Sequence, residues 1–437
     1  MINVFQPSLG EAELSAVAEV FADNWLGHGP RTAVFEAEFA AHLGVPADRV
    51  VFLASATAGL YLTTELLGLG PGDEVVMPSI SFVSAASAVA STGARPVFCD
   101  VDPDTLNPSA EQIARALTDR TRAVLVLHYG GGPGDIARIA ELCESRGVPL
   151  VEDTACAVAS RVGPRACGTF GSLSVWSFDA MKVLSTGDGG MLYAADPAVA
   201  ERARRLAYHG LAQSSGLSAA RSAAGGGPDA TGDAPDATAG DRGTEAAGPG
   251  TEAGAPTPDP GATGARVPSR WWDLDVRDFG RRVIGNDLTA AIGSVQLRRL
   301  EAIVDRRREV AAAYDRLLSP LAGVRLPPPL PPDHTTSYYF YWVRLDPRIR
   351  DAVASDLLGR GVYTTFRYPP LHRVPAYGHH EPPLPHTESA AETTLLLPLH
   401  QGLCDADVAT VAAEFRASVE ARTPARPAGL PKEGVHA

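Results

Sequence analysis

Short apolar runs recur along the first 150 residues, each separated from the next by a helical pattern. Val50-Val51-Phe52-Leu53, Glu74-Val75-Val76-Met77, Pro96-Val97-Phe98, Ala123-Val124-Leu125-Val126-Leu127 and Val148-Pro149-Leu150-Val151 read as strands, and the stretches 57–68, 82–91, 109–118 and 134–146 read as helices. Such alternation commits the chain to an α/β fold, a mostly parallel sheet covered by helices on both faces. The pattern then changes. A long helical stretch spans about 287–318, and Tyr338-Tyr339-Phe340-Tyr341-Trp342-Val343 reads as a strand. A helix near 349–359, a strand at 362–366 and a last helix at 405–420 complete this part, which is expected to be a smaller α+β domain. The domain expectation is therefore a large domain over 1–290 and a small one over 291–437.

Between residues 221 and 265 there is no Val, Ile, Leu, Met, Phe, Trp, Tyr or Cys. A segment with nothing to bury cannot offset its ordering entropy, so 213–268 is expected to be a flexible insertion, and the tail from about 422 is expected to be disordered in the same way. Seven acids against two arginines in 221–265 supply −5 of the net charge of −13. That charge disfavours nonspecific association with nucleic acid or an anionic membrane, while leaving a local site for a small anion possible. The amino terminus has no basic region followed by an apolar run, and a cytoplasmic protein is expected. The five cysteines are odd in number and lack a CxxC pair, so neither a disulfide framework nor a zinc site is indicated.

In open parallel sheets ligands collect at the carboxyl ends of the strands. Three loops there hold candidate residues. Ser55-Ala56-Thr57-Ala58-Gly59 opens a helix directly after a strand, so N–H groups, a hydroxyl and the helix dipole can converge on a phosphate; an ordinary N-cap reads the same. Glu152-Asp153 follows another strand, as a catalytic carboxylate or as a cap. Ser177 and Lys182 stand before the Gly187–Gly190 turn. Of the 38 lysines and arginines only Lys182 and Lys432 are lysine, and Lys432 lies in the Pro/Gly-rich tail. A carbonyl cofactor held as a Schiff base needs a primary amine that can lose its proton, which arginine cannot supply. Pyridoxal phosphate also needs a phosphate cup and an anionic partner for its ring nitrogen, and each has a candidate here.

The order and spacing of these segments resemble the DegT-type (DegT/DnrJ/StrS) nucleotide-sugar aminotransferases. The likeness runs from WLGHGPRTAVFEAEFAAHLG through GPGDEVVMPSISFVSAASAV, HYGGGPGDI, VEDTACA and SFDAMKVLSTGDGG to NDLTAAIGSVQLRRL, RYPPLH and LLLPLH. It implies fold type I of the pyridoxal 5'-phosphate (PLP) enzymes, with the large domain binding the cofactor and pyridoxamine 5'-phosphate as the intermediate form. By the same resemblance, Lys182 carries the cofactor and moves the proton, and Asp153 pairs with the pyridine nitrogen. Ala56, Thr57 and Ser177 match phosphate contacts. Phe82 matches the aromatic stacked on the ring, with plain core packing as the other reading.

Three departures from the family pattern stand out. Cys156 replaces the Gln or His usual near the cofactor's phenolic oxygen, and a thiol is a poor hydrogen-bond donor. Ala56 stands where the phosphate loop usually has Gly. Arg282 takes the place of an Asn that crosses a dimer interface to the partner's cofactor phosphate, Arg281 being its immediate neighbour. A homodimer with shared sites is therefore expected. The implied reaction converts a nucleotide-linked, dTDP-type keto-deoxysugar or keto-pentose to its amino sugar, at C4 rather than C3, with L-glutamate as amino donor. His28, Arg367, Tyr368 and His372 are the expected sugar-nucleotide contacts. The alternatives are a PLP-dependent sugar dehydratase, which would carry histidine in place of Lys182, and an idle relative acting as a binding partner. A nicotinamide enzyme would need a Gly-rich fingerprint that HYGGGPGDI does not supply.

Overall fold

The structure is a computed structural model that describes residues 1–212, 274–377 and 383–423. The expected insertion at 213–268 and the tail past 423 lie outside the described residues. The described residues 1–212, 276–377 and 383–423 gather into one compact unit.

Helices α1 (Glu11–Ala22) and α2 (Pro30–Leu43) precede the sheet. Strand β1 (Val50–Leu53) leads into α3 (Ala56–Leu66), β2 (Glu74–Pro78) into α4 (Val83–Ser91), and β3 (Arg95–Cys99) into α5 (Ala110–Ala116). Strand β4 (Thr121–Leu127) and α6 (Ile136–Arg146) follow, then β5 (Leu150–Asp153) and the short β6 (Arg161–Val162) and β7 (Arg165–Ala166). After β8 (Leu173–Ser177), β9 (Gly190–Ala194) and α7 (Pro197–Ala207) the chain leaves the sheet. Its seven strands run in the order β1-β9-β8-β5-β4-β2-β3, and only β9 is antiparallel to its neighbours. Every residue of β1, β2, β5 and β9 is buried, as a sheet covered on both faces requires. Local chemistry supports each helix start: Ser55 caps α3 through Ala58 N–H, and Ser109 with Gln112 forms a reciprocal capping box on α5.

The remaining elements are α8 (Asp287–Arg298), α9 (Leu300–Leu318), β10 (His334–Thr335), β11 (Tyr341–Arg344), α10 (Pro347–Gly359), α11 (Pro385–Thr393), β12 (Thr394–Leu397) and α12 (Asp405–Glu420). β11 pairs antiparallel with β12, and helices α9, α10 and α12 pack their buried faces around that pair to form a separate apolar cluster.

Four expectations need correction. The stretch 287–318 is two helices that meet at Arg299 rather than one. The expected strand over 338–343 begins only at Tyr341, because Tyr338 has φ 48 and breaks the extended backbone. No strand forms at 362–366; Val362 and Thr365 make isolated bridges to Ile2 and Leu396. Glu152 and Asp153 are the last residues of β5, not the loop after it. Among the described residues no helix is long and apolar enough to cross a membrane, and no group of His, Cys, Asp or Glu is arranged to hold a metal.

Candidate active site

Four backbone ends meet at the carboxyl edge of the sheet. Gly190, the first residue of β9, is in register with Leu53 of β1 on one side and Ser177 of β8 on the other. A Cβ on Gly190 would lie 2.5 Å from Ala56 N and 2.5 Å from Ser55 C, so only glycine lets β9 press against the first turn of α3. Gly59, whose Cβ would meet Val175 Cγ1 at 2.8 Å, brings the next turn of α3 equally close to β8. Ser55 Oγ accepts from Ala58 N–H at 3.1 Å. The N–H groups of Ala56 and Thr57, in the first turn, have no intrahelical acceptor. Thr57 is exposed and Ser177 half-buried. The expected phosphate contacts Ala56, Thr57 and Ser177 are thus brought to one place, where N–H donors, hydroxyls and the positive end of a helix dipole suit a phosphate.

Beside them stands the amine. Lys182 lies in the turn after β8, its N–H donating to Asp179 O at 2.9 Å, and its Nζ is 4.6 Å from the centroid of the Tyr339 ring. Burial opposes its charge, but Tyr339, Cys156 and Asp153 around it outweigh that cost and hold its pKa above the ordinary lysine value. Burial also pushes up the Tyr339 phenol and the Cys156 thiol. Asp153 is itself raised by burial, against which the Ala155 N–H at 3.1 Å, Lys182 and His128 favour the carboxylate. Cys156 is buried, with Sγ 3.8 Å from Tyr368 Oη.

Phe82 is the N-cap residue of α4 and is 43% exposed, which excludes the core-packing reading. Its ring meets Tyr368 edge-on at 5.6 Å. Tyr368 is buried against Phe340, and Arg367 lies over the Phe5 ring at 4.9 Å, with Nη2 3.4 Å from Met181 Sδ. Arg367 and Tyr368 are therefore brought to the Lys182 cluster. The other two expected sugar contacts are held elsewhere in the chain's own network. Both ring nitrogens of His372 are engaged, Nδ1 with Ser79 Oγ at 2.7 Å and Nε2 with Glu388 Oε1 at 3.2 Å, which fastens this loop to the one bearing Phe82. His28 sits in the corner of Trp25 and Asp287, where burial lowers its pKa. Arg282 is exposed, its guanidinium 5.4 Å from the Tyr208 ring centroid, whereas Arg281 pairs with Glu65 of the same chain.

Two features were not anticipated. Tyr339 was read as one residue of an aromatic strand, yet its ring touches the lysine. His128 Nε2 and Glu152 Oε2 form a buried pair at 3.0 Å, and Glu152 also accepts from Gly168 and Gly171 N–H at 2.7 and 2.6 Å. This carboxylate, next to Asp153 in sequence, is spent on pinning the loop between β7 and β8.

The residues fit pyridoxal phosphate. They offer a half-buried primary amine, a buried acid for the ring nitrogen, a half-exposed aromatic ring and a glycine-tight helix N-terminus for the phosphate.

Comparison with known proteins agrees with this geometry. The chain is 56% identical over 420 residues to a dTDP-4-dehydro-2,3,6-trideoxy-D-glucose 4-aminotransferase of Saccharopolyspora spinosa, covering 96% of this chain and 97% of that one. The crystal structure of the aminotransferase TlmJ from Streptoalloteichus hindustanus matches at 57% identity and TM-score 0.83, over 97% of this chain and 100% of that one. A sugar aminotransferase of Streptococcus pneumoniae in its PMP form, at 22% identity, shares the fold with TM-score 0.80 over 96% of this chain and 100% of that one. The profile of the DegT/DnrJ/EryC1/StrS aminotransferase family matches residues 7–225 and 264–416, and the chain belongs to that family.

Proposed function

We propose that the protein is a PLP-dependent aminotransferase that converts a dTDP-linked 4-keto-deoxysugar to its 4-amino sugar, with L-glutamate as amino donor. The observation that carries this reading is the half-buried Lys182, its Nζ over the Tyr339 ring and beside Asp153, at the strand ends where α3 opens. The S. spinosa relative supports C4 as the position and a 2,3,6-trideoxyhexose as the sugar. A hydroxyl-poor ring agrees with the aromatic cluster near Lys182, in which the rings of Phe5, Phe82, Phe340, Tyr339 and Tyr368 contact one another.

The cofactor, when bound, supplies the electron sink that stabilises a carbanion at the amine-bearing carbon. The chain's residues do the rest. With the cofactor bound, Asp153 would pair with the protonated ring nitrogen and no longer pull on Lys182, whose amine would serve as nucleophile and proton carrier. Ala56, Thr57 and Ser177 would hold the phosphate and Phe82 would cover the ring. Cys156, whose Sγ lies 3.8 Å from Tyr368 Oη, would give the phenolic oxygen weaker hydrogen bonding than an amide would provide. Arg367 and Tyr368 meet the substrate.

A homodimer completes the site through Arg282. This reading is supported by a guanidinium that is exposed, and by the exposed Leu14, Phe21, Val276 and Phe279 on the same chain. The division into a cofactor-binding domain, 1–290, and a small domain, 291–437, belongs to the same proposal. To test the function, the pyridoxamine-loaded protein is mixed with a panel of dTDP-keto-sugars while absorbance is followed. Turnover is expected with 4-keto-2,3,6-trideoxyhexose and not with 3-keto sugars; preference for a 3-keto sugar would overturn the C4 assignment.

A further inference from the structure

Tyr339 and Arg307 remain unused by the site as proposed. Tyr338, with φ 48, lies in the left-handed region that a bulky residue avoids, and the break lets Tyr339 and Phe340 both turn inward, at 0% and 4% exposure. Two fastenings hold the break in place. Gly130 O accepts from Tyr339 N–H at 3.0 Å and from Phe340 N–H at 3.3 Å. From behind, Arg307 of α9 donates Nε–H to Tyr338 O at 3.1 Å and Nη1–H to Gln401 Oε1 at 3.0 Å. Arg307 is 1% exposed and has no carboxylate within 4.0 Å among the described residues. A buried cation with only neutral partners is costly to keep, so its retention calls for a positional role. What it positions is a ring with Phe5 stacked on it at 5.3 Å and the Lys182 amine 4.6 Å from its centroid.

We propose that the Tyr339 ring is the berth of the Lys182 ammonium whenever that amine is not bonded to a carbonyl carbon, and that Arg307 is the positioning residue that keeps the berth in place. The proposal rests on the reading of Lys182 as the reactive amine. A cation over an aromatic face is held by the ring quadrupole, most strongly where water is excluded. The freed amine therefore stays over the site and keeps its proton for transfer, instead of swinging to solvent. Asp153 and Cys156 face the same amine, and Arg367 and Tyr368 flank the cluster, so the ring's share must be separated from theirs.

The composition makes the test direct, because Lys182 and Lys432 are the only lysines. The full chain is prepared with lysine labelled at Cε and read by NMR, depleted of cofactor and in its pyridoxamine form, with Lys432→Arg to assign the signals. Lys182 Hε protons are expected upfield of those of Lys432, through the ring current. Tyr339→Phe should keep the upfield shift, and Tyr339→Leu should abolish it. Arg307→Gln should reduce the shift; if that variant fails to fold, Arg307→Lys, which keeps the charge without the planar fork, should do the same. An Hε shift unchanged in Tyr339→Leu overturns the berth, and one unchanged in the Arg307 variant overturns the positioning role. Borohydride trapping of the wild type separates the two readings: attachment at Lys182 without an upfield shift sinks the berth alone, and absence of attachment sinks the cofactor reading.

Discussion

Replacing Gly190 by alanine should loosen the cofactor without unfolding the protein. The added Cβ would sit 2.5 Å from Ala56 N, 2.5 Å from Ser55 C and 2.8 Å from Ser55 O, all backbone atoms. Favourable contact begins near 3.5 Å, so something must move by about 1 Å. β9 cannot retreat, since Gly190 is in register with both Leu53 and Ser177. The first turn of α3 must yield, and overpacking of this kind costs about 1–3 kcal/mol. If the displaced turn carries that cost, PLP affinity falls by about 5- to 150-fold, because every 1.4 kcal/mol is tenfold. Titration of the cofactor-depleted protein with PLP, followed by absorbance, reads this directly. Gly72→Ala is the control. Gly72 has φ 95 and no atom within 4 Å of an added Cβ, and it precedes β2 at the opposite end of the sheet. That variant should lose about 1 kcal/mol of stability from backbone strain and bind PLP normally. Wild-type affinity in Gly190→Ala would refute the argument that α3, packed by this glycine, forms the phosphate cup.

The two adjacent arginines should behave differently. Arg282→Ala is expected to weaken PLP binding by about tenfold or more, the value of a charge-assisted contact to phosphate, while the dimer persists in sedimentation. Arg281→Ala removes a partly exposed pair with Glu65, so its effect on stability should stay below about 1 kcal/mol and its effect on PLP affinity should be nil, as checked by thermal melting and the same titration.

Helix α12 spans 405–420 as its periodicity implies, and the first five strands lie where the apolar runs stand. These elements are legible because burial imposes a period of two or 3.6 on adjacent residues. Strand β9 and helix α7 are less legible, since β9 is a five-residue run directly after the Gly187–Gly190 turn, with no alternation to mark it. Tyr338–Trp342 misled for a related reason: an unbroken aromatic run carries no alternation from which a reversal at Tyr338 could be inferred. In the site, Lys182 stood out by composition and Asp153 by its place at a strand end. Tyr339, Arg307 and the His128–Glu152 pair were hidden, because each works through a partner distant in sequence. The same holds for His372, a substrate contact by motif, whose ring the fold commits to Ser79 and Glu388.

Borohydride reduction of the PLP-loaded protein, followed by mass mapping of its two lysine-bearing peptides, tests the central claim most directly. The account predicts the added mass of one reduced cofactor on the peptide containing Lys182 and none on that containing Lys432. A protein that stays colourless with added PLP, or takes up the label at Lys432 alone, would contradict it.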